Sequence, residues 1–277
     1  WTPPASLTVT AMPKRAAAPA GGGAKRRRLS TAPAGHGDAW EGLDCGRLRR
    51  AGLARWRRQP ATDEAMAGVP ATYRAADLAE SRLFLQDVAR RARLAAARRS
   101  EPAAPWPRAA LDVGAGTGRC TAGALLRLPG LERMDLLEPA PQLRRRARER
   151  LAGDRRVSTV FATPLEEFTP TRSYDLIWMQ WVLMYIPDRE VVAFLQRCRL
   201  RMSLGSAVVV KENVANGRTA EEGVDDEELC VTRCSSHYEA LFSQAGFKVA
   251  RKRQQKRWPS PASGCFRVMM WALAIAP

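Results

Sequence analysis

Histidine is almost missing from this chain: His36 and His237 are its two examples in 277 residues. So few imidazoles exclude most zinc sites, which gather several nitrogen or sulfur ligands in one place. Six cysteines (Cys45, Cys120, Cys198, Cys230, Cys234 and Cys265) are scattered without a C-x-x-C pair. No metal is therefore expected, and the thiols read as reduced and intracellular. Cys230 and Cys234 are expected to share a helix face through packing. No apolar run approaches the ~18 residues of a membrane-spanning helix, and no secretory signal is visible, so no membrane partner is expected. The first residue is Trp rather than Met, as in a fragment of a longer chain. Acidic residues are in the minority, 28 against 45 Lys and Arg, for a net charge of +17 and a pI near 10.7. Such a balance suits acidic surfaces, nucleic acid or chromatin and does not bear on fold.

That charge is uneven. Residues 1–60 hold twelve Lys and Arg against three Asp and Glu, over half of the excess. Residues 1–45 are rich in Ala, Pro, Gly and Thr and read as a disordered tail, since they cannot bury enough surface to order themselves. Lys25-Arg26-Arg27-Arg28 is either a nuclear-import cluster or a solvated stretch. The expected location is nucleus and cytoplasm. Any nucleic-acid contact is expected through this tail alone.

The remainder, 46–277, is long enough for one α/β domain with a sizeable core. Leu48, Leu53 and Trp56 recur at helical spacing with arginines between them, so a basic amphipathic helix is expected over 43–56. A loop should follow through Met66-Ala67-Gly68-Val69-Pro70, and a second helix over Asp77–Arg98. After the Pro-rich connector 100–107, strands and helices alternate. Strands are expected at 108–113, 133–138, 157–161, 174–179 and 207–211, and helices at 119–127, 140–151 and 189–202, the last opened by Pro187 at its first position. A helix over 228–244 and two strands, 247–253 and 265–275, close the chain. Such alternation means a parallel sheet covered on both faces.

Leu111-Asp112-Val113-Gly114-Ala115-Gly116-Thr117-Gly118-Arg119 reads as a buried strand, a glycine turn and a helix start. Glycines let the backbone approach a ligand closely or take positive φ, and free N–H groups at a helix start accept an anionic or polar group. The same turn also serves as a tight connection with no ligand. Twenty residues past Gly118, the strand Arg133–Glu138 ends in a carboxylate, where dinucleotide-type folds place a ribose-binding acid. The two signals together resemble the class I S-adenosylmethionine-dependent methyltransferase core. Asp112, two residues before the first glycine, weighs against a nicotinamide reading.

Three further stretches lie at strand ends, where open α/β sheets bind ligands. Gln180 and Trp181 sit where an apolar strand hands over, as either a site or a packed strand end. Asn213, in Lys211-Glu212-Asn213, can accept and donate at once, which suits a peptide end or a turn cap. Residues 221–228 hold six carboxylates in eight positions; they form a patch for a basic substrate or a solvated helix start.

Together these stretches resemble the α-N-terminal protein methyltransferases, which methylate the amine of proteins beginning Xaa-Pro-Lys/Arg after loss of Met. The resemblance rests on Ile177-Trp178-Met179-Gln180-Trp181, on Lys211-Glu212-Asn213, on Val224-Asp225-Asp226 through Arg233, and upstream on Trp56, Asp77, Ser81 and Phe84-Leu85-Gln86. It covers about residues 50–275. It implies a Rossmann-like sheet of seven mostly parallel strands with an antiparallel closing hairpin, helices on both faces and an N-terminal helical extension. It further implies S-adenosylmethionine as cofactor, held by Gly114, Arg119, Glu138, Pro139, Ala140, Pro164, Leu165 and Gln180, with Trp56, Met66 and Gly68 bordering it. Trp181, Asp225 and Cys230 fall on substrate positions, and Asn213, Glu228 and Tyr185 on catalytic ones. Several positions depart from the family's pattern. Tyr185 stands in place of a usual His, Glu228 of an Asp, Cys230 of a Ser and Glu138 of an Asp, while Gly68-Val69-Pro70 stiffens a loop usually ending in Tyr. A phenol titrates near ~10 when unperturbed, so proton removal falls mainly on Glu228. Two rival activities stay open. One is methylation of small amines or another protein site; the other is a non-catalytic chromatin- or RNA-binding module with this fold.

Overall fold

The computed structural model describes residues 40, 42–67, 71–100, 105–215, 224–225, 229–258 and 265–276. The expected tail with its Lys25–Arg28 cluster, Gly68, and the carboxylates Glu221, Glu222, Asp226, Glu227 and Glu228 lie outside the described residues. For Asp225 the backbone alone is described.

Among the described residues, three helices precede the sheet. Helix α1 (Cys45–Arg58) starts where the Asp44 carboxylate accepts the Arg47 N–H at 2.9 Å. Helix α2 (Asp63–Ala67) occupies part of the expected loop. Thr62 makes this possible, its hydroxyl accepting the Ala65 N–H at 3.2 Å with Asp63 and Glu64 in the first turn. Helix α3 (Ala71–Arg98) begins at Ala71 rather than Asp77. The apolar pattern is silent there, but Ala75 and Ala76 carry high helix propensity.

The strands are β1 (Ala109–Val113), β2 (Arg133–Leu137), β3 (Val157–Phe161), β4 (Leu176–Gln180), β5 (Ala207–Val214), β8 (Phe247–Gln254) and β9 (Arg267–Ile275). A short hairpin, β6 (Val224–Asp225) and β7 (Cys230–Val231), stands apart. The large sheet runs β3-β2-β1-β4-β5-β9-β8 among the described residues. Its first five strands are parallel, and β9 is antiparallel to both β5 and β8. Strand order reverses between β1 and β4, so the chain departs in opposite directions there and leaves a crevice at the strands' carboxyl ends.

Alternate residues of each strand enter opposite layers. Leu111, Val113, Ile177, Met179, Val208 and Val210 join α6 (Asp188–Arg199) and α7 (Ser235–Gln244) in one core. Ala110, Leu136, Leu176 and Trp178 join α5 (Pro141–Leu151) and the Phe84–Leu85 stretch of α3 in the other. Helix α3 is thus part of this core, whereas α1 buries no residue in it.

Several boundaries differ from the expectation. The helix after the glycine turn is α4 (Arg119–Gly123), followed by a 3-10 turn, Leu125–Arg127. Gly123 is pressed against α3: a Cβ there would lie 2.7 Å from Leu78 Cδ1. Pro187 is the N-cap of α6, one residue before its first position. Strand β5 runs on to Val214 because β9 pairs with it that far. The expected helix over 228–244 starts only at Ser235. Its upstream part is β7, paired as Asp225↔Cys230 and Val224↔Val231, and entered through Leu229 at φ 53°. Cys230 therefore lies on a strand and Cys234 at a helix N-cap, so the two do not share a helix face.

The loop between β4 and α6 is held from below by Arg233. This fully buried side chain donates to the carbonyls of Leu183 (2.9 Å) and Ile186 (2.7 Å) and to Asp188 Oδ1 (2.7 Å). His237 Nε2 meets Asp188 Oδ2 at 2.6 Å. Burial pushes the Asp188 carboxyl up, but the His237 bond and the Arg233 charge outweigh it and hold it below the usual range. Replacing Arg233 by Met should cost about 3–5 kcal/mol, because it leaves a buried carboxylate and two carbonyls underpaired. Urea denaturation of the two proteins measures the difference.

Candidate functional site

The crevice at the strand reversal is walled first by the glycine turn. Gly114 N–H and Ala115 N–H both donate to Leu137 O, which closes the turn onto the end of β2. Gly114 has φ +70°, and a Cβ on it would stand 2.8 Å from Val182 Cγ2, so only glycine fits without displacing the loop after β4. Glu138, immediately after β2, accepts Gly116 N–H at 2.9 Å and Ala140 N–H at 2.8 Å. Each carboxylate oxygen keeps a lone pair for a further donor. Burial pushes the Glu138 carboxyl up, against the pull of those two bonds. Asp112, buried below the turn, accepts from Thr121 Oγ1 at 2.5 Å, and burial pushes its carboxyl up to about 7.

The N-terminal helices form the roof. Leu48, Leu53 and Trp56 of α1 and Met66 of α2 line the crevice half-buried. Gln142 at the start of α5 donates to Trp56 O at 2.6 Å and Gln59 O at 3.2 Å. Asp63 takes two bonds from Arg150 (2.9 and 3.1 Å) and one from Thr117 Oγ1 (2.7 Å), so α2 is tied to the glycine turn. The Trp56 and Tyr185 rings meet edge to face, 5.2 Å apart, joining roof to far wall.

At the inner end lies a buried charged cluster. Asp77 of α3 accepts Arg119 Nη1 at 2.8 Å, Gln180 Nε2 at 3.1 and 3.2 Å, and the ammonium of Lys211. Lys211 Nζ also donates to Ser81 Oγ at 2.8 Å. Burial pushes the Asp77 carboxyl up, but Lys211 and Arg119 outweigh it and hold it low. Cys120 donates to Gln180 Oε1 at 3.2 Å, and burial pushes its thiol up to about 12, which leaves it an inert neutral group.

Gln180, Trp181, Val182 and Tyr185 make the far wall. Trp181 takes the left-handed conformation, φ 54°, with its N–H on Lys211 O at 3.0 Å. This conformation costs a bulky residue about 1–2 kcal/mol. Its ring stands 5.6 Å from Trp258 and 5.9 Å from the Arg119 guanidinium. Glu212 of β5 fixes this wall from behind, its Oε1 accepting the N–H groups of Val182 and Leu183, each at 2.8 Å.

The family profile described as "AdoMet dependent proline di-methyltransferase" matches residues 44–274. The chain belongs to this family. It is an S-adenosylmethionine-dependent methyltransferase, and the seven-stranded α/β fold is that of the class I enzymes. Alpha N-terminal protein methyltransferase 1 of Drosophila melanogaster is 34% identical over 221 residues, 78% of this chain and 72% of that protein. N-terminal Xaa-Pro-Lys N-methyltransferase 1-B of Xenopus laevis is 30% identical over 217 residues, 78% of this chain and 91% of that protein. A solved SAM-dependent methyltransferase from Leishmania major superposes with a TM-score of 0.69 at 30% identity, covering 86% of this chain and 87% of that one.

The crevice fits the cofactor these proteins share. Bare glycine backbone meets a carboxylate with spare lone pairs, a cation lies at the inner end, and half-buried apolar groups line the roof. Of the residues expected to hold the cofactor, Gly114, Arg119, Glu138 and Gln180 line the crevice, as do Pro139, Pro164 and Leu165. Trp56 and Met66 line it from the roof. Ala140 is buried behind Glu138 and touches that side chain through its N–H. Trp181 and Tyr185 line the far wall. Asn213 and Cys230 do not: Asn213 pairs with Val268 in the sheet, and Cys230 is buried in the hairpin. Strand β7 does pack against the Leu183–Tyr185 turn, which sets the hairpin beside the far wall. Sequence reasoning assigned no role to Asp77, Ser81 or Lys211, nor to the Asp63–Arg150 tie or Trp258. The available signal was Lys211-Glu212 itself, two charges continuing the apolar run Ala207–Val210.

Glu212 gives this wall a pH signature. Burial raises its carboxyl to about 8. The folded chain therefore binds more protons than the unfolded one, and stability falls as pH rises from about 4.5 to about 8, with Asp112 adding in the same direction. Glu212→Gln keeps an acceptor for both N–H groups and should flatten that decline. Urea midpoints of both proteins across that window check the slope.

Proposed function

We propose that this chain transfers the methyl group of S-adenosylmethionine to the free α-amine of proteins beginning Xaa-Pro-Lys or Xaa-Pro-Arg. The observation that carries the reading is one crevice with two unlike walls. One is a glycine-turn cradle with a carboxylate and a cation, the other an aromatic face made by Trp181 and Tyr185. The relatives support this reading: the fly protein is named for methylation of protein α-N-termini and the frog protein for N-methylation of Xaa-Pro-Lys N-termini.

The bound cofactor supplies an electrophilic methyl group on sulfur. Glu138 orients it through the ribose hydroxyls, and Arg119 takes its carboxylate. Trp56, Met66 and Leu165 exclude water from it, with Gln180 at the inner end, Pro139 and Pro164 stiffening the walls, and Ala140 steadying Glu138. Gly68, outside the described residues, is the remaining residue that the family resemblance assigns to the cofactor. On the peptide side, Trp181 provides an apolar surface for the amine and the proline ring, and Asn213, which lies outside the lined crevice, is assigned the first peptide carbonyl on the family resemblance alone. The hairpin residues Asp225 and Cys230 receive the cationic third residue. An α-amine, with an ordinary pKa of ~7.7–8.0, must lose its proton before it attacks. Glu228 accepts that proton with Tyr185 assisting. Catalysis is then mainly alignment plus deprotonation.

A Ser-Pro-Lys-Arg peptide incubated with S-adenosylmethionine should gain methyl groups by mass spectrometry, and its N-acetylated form should gain none. Equal labelling of the two, or no labelling of the free peptide, refutes the reading. Tyr185→His restores a base titrating near neutrality and should raise the rate at about pH 7 several-fold, with cofactor affinity unchanged. Initial rates and calorimetric titration together check this.

A further inference from the structure

We propose that Lys211 and Asp77 are positioning residues for the anionic end of the cofactor: Lys211 occupies Asp77 so that Arg119 keeps positive charge for a carboxylate in the crevice. The proposal rests on the reading that the cofactor lies in that crevice.

The cluster holds one carboxylate between two cations. Arg119 bonds one oxygen of Asp77 at 2.8 Å, and Lys211 sits on the other. Lys211 is fully buried, and its remaining contacts are Asp77 O at 3.2 Å and Ser81 Oγ at 2.8 Å, both on α3. It does not line the crevice, whereas Arg119 does. Other acids nearby do not close the balance. Asp63 is spent on Arg150 and Thr117. Asp112 is bonded to Thr121, and with its carboxyl near 7 it supplies only part of a charge. Glu138 holds two backbone N–H groups at the other end of the turn.

Charges taken out of water are costly unless paired. A cluster with a surplus cation at its crevice-facing member is therefore completed by an anion arriving from the crevice. Without the ammonium of Lys211, Gln180 would still donate to Asp77, but Arg119 would be the one cation left beside that carboxylate, and the surplus would vanish. The alternative is that Lys211 merely pins α3 to β5. Such a pin would affect every ligand of the crevice alike.

Calorimetric titration of the full chain with two ligands separates these cases. S-adenosylhomocysteine carries the amino-acid carboxylate, and 5′-methylthioadenosine is an adenosine thioether without it. Lys211→Gln should weaken S-adenosylhomocysteine about tenfold or more while leaving 5′-methylthioadenosine within about twofold. Lys211→Arg should recover most of the difference. Should Lys211→Gln fail to fold by circular dichroism, Ser81→Ala removes one Lys211 partner more gently and should lower the same selectivity about threefold. Equal weakening of both ligands, or no change in either, overturns the proposal. Failure of the unmodified chain to bind either ligand overturns the placement of the cofactor itself.

Discussion

The carboxylate of Asp77 is the joint on which the site depends. It lies on α3, outside the sheet, yet it bonds the first residue of α4, the last residue of β4 and a lysine within β5. A buried ion cluster of this kind is a poor source of net stability, since desolvation offsets most of its attraction. What it imposes is geometry. Each partner must be in place or a charge is stranded in the interior. Helix α3, the glycine turn and the far wall are thereby held in one relative position.

The roof is attached on different terms. Helix α1 has no fully buried residue and is held by Gln142 at its carboxyl end and by Arg49, which pairs with Glu166 and Glu167. Exposed ion pairs contribute about 0–1 kcal/mol each. Helix α3, in contrast, buries Phe84, Leu85 and Val88 against the sheet. The wall facing the cofactor's inner end is thus rigid and the roof only lightly fastened. The far wall is rigid too: Arg233 and Glu212 satisfy the backbone of residues 182–186 from beneath, and the left-handed turn at Trp181 is maintained by what surrounds it.

Much of this was readable from residue order because the determining forces are local or periodic. The glycine turn, the acid ending β2 and the apolar runs of β1 and β4 each declare themselves within a few residues. Expected and observed bounds of β3 coincide at Val157–Phe161. Readings failed where tertiary packing overrode local preference. Residues 229–234 follow a helix-like acidic stretch, but Val224 and Val231 pair as a hairpin. The helix after the turn ends at Gly123, where the missing side chain lets Leu78 of α3 pack close. No local pattern carries either contact.

The chain order alone determined the alternation of strands and helices and the ligand-binding end of the sheet, since both follow from hydrophobic period, glycine placement and motif spacing; the class of reaction was legible only through the resemblance of those motifs to a known family. Only the folded structure decided which charges meet. Asp77 and Lys211 are separated by 134 positions, and they pair because α3 packs in the same core layer as Trp178 of β4 and Val209 of β5. Partnership between buried charges depends on distance in space, which residue order does not encode until the sheet has brought its strands together.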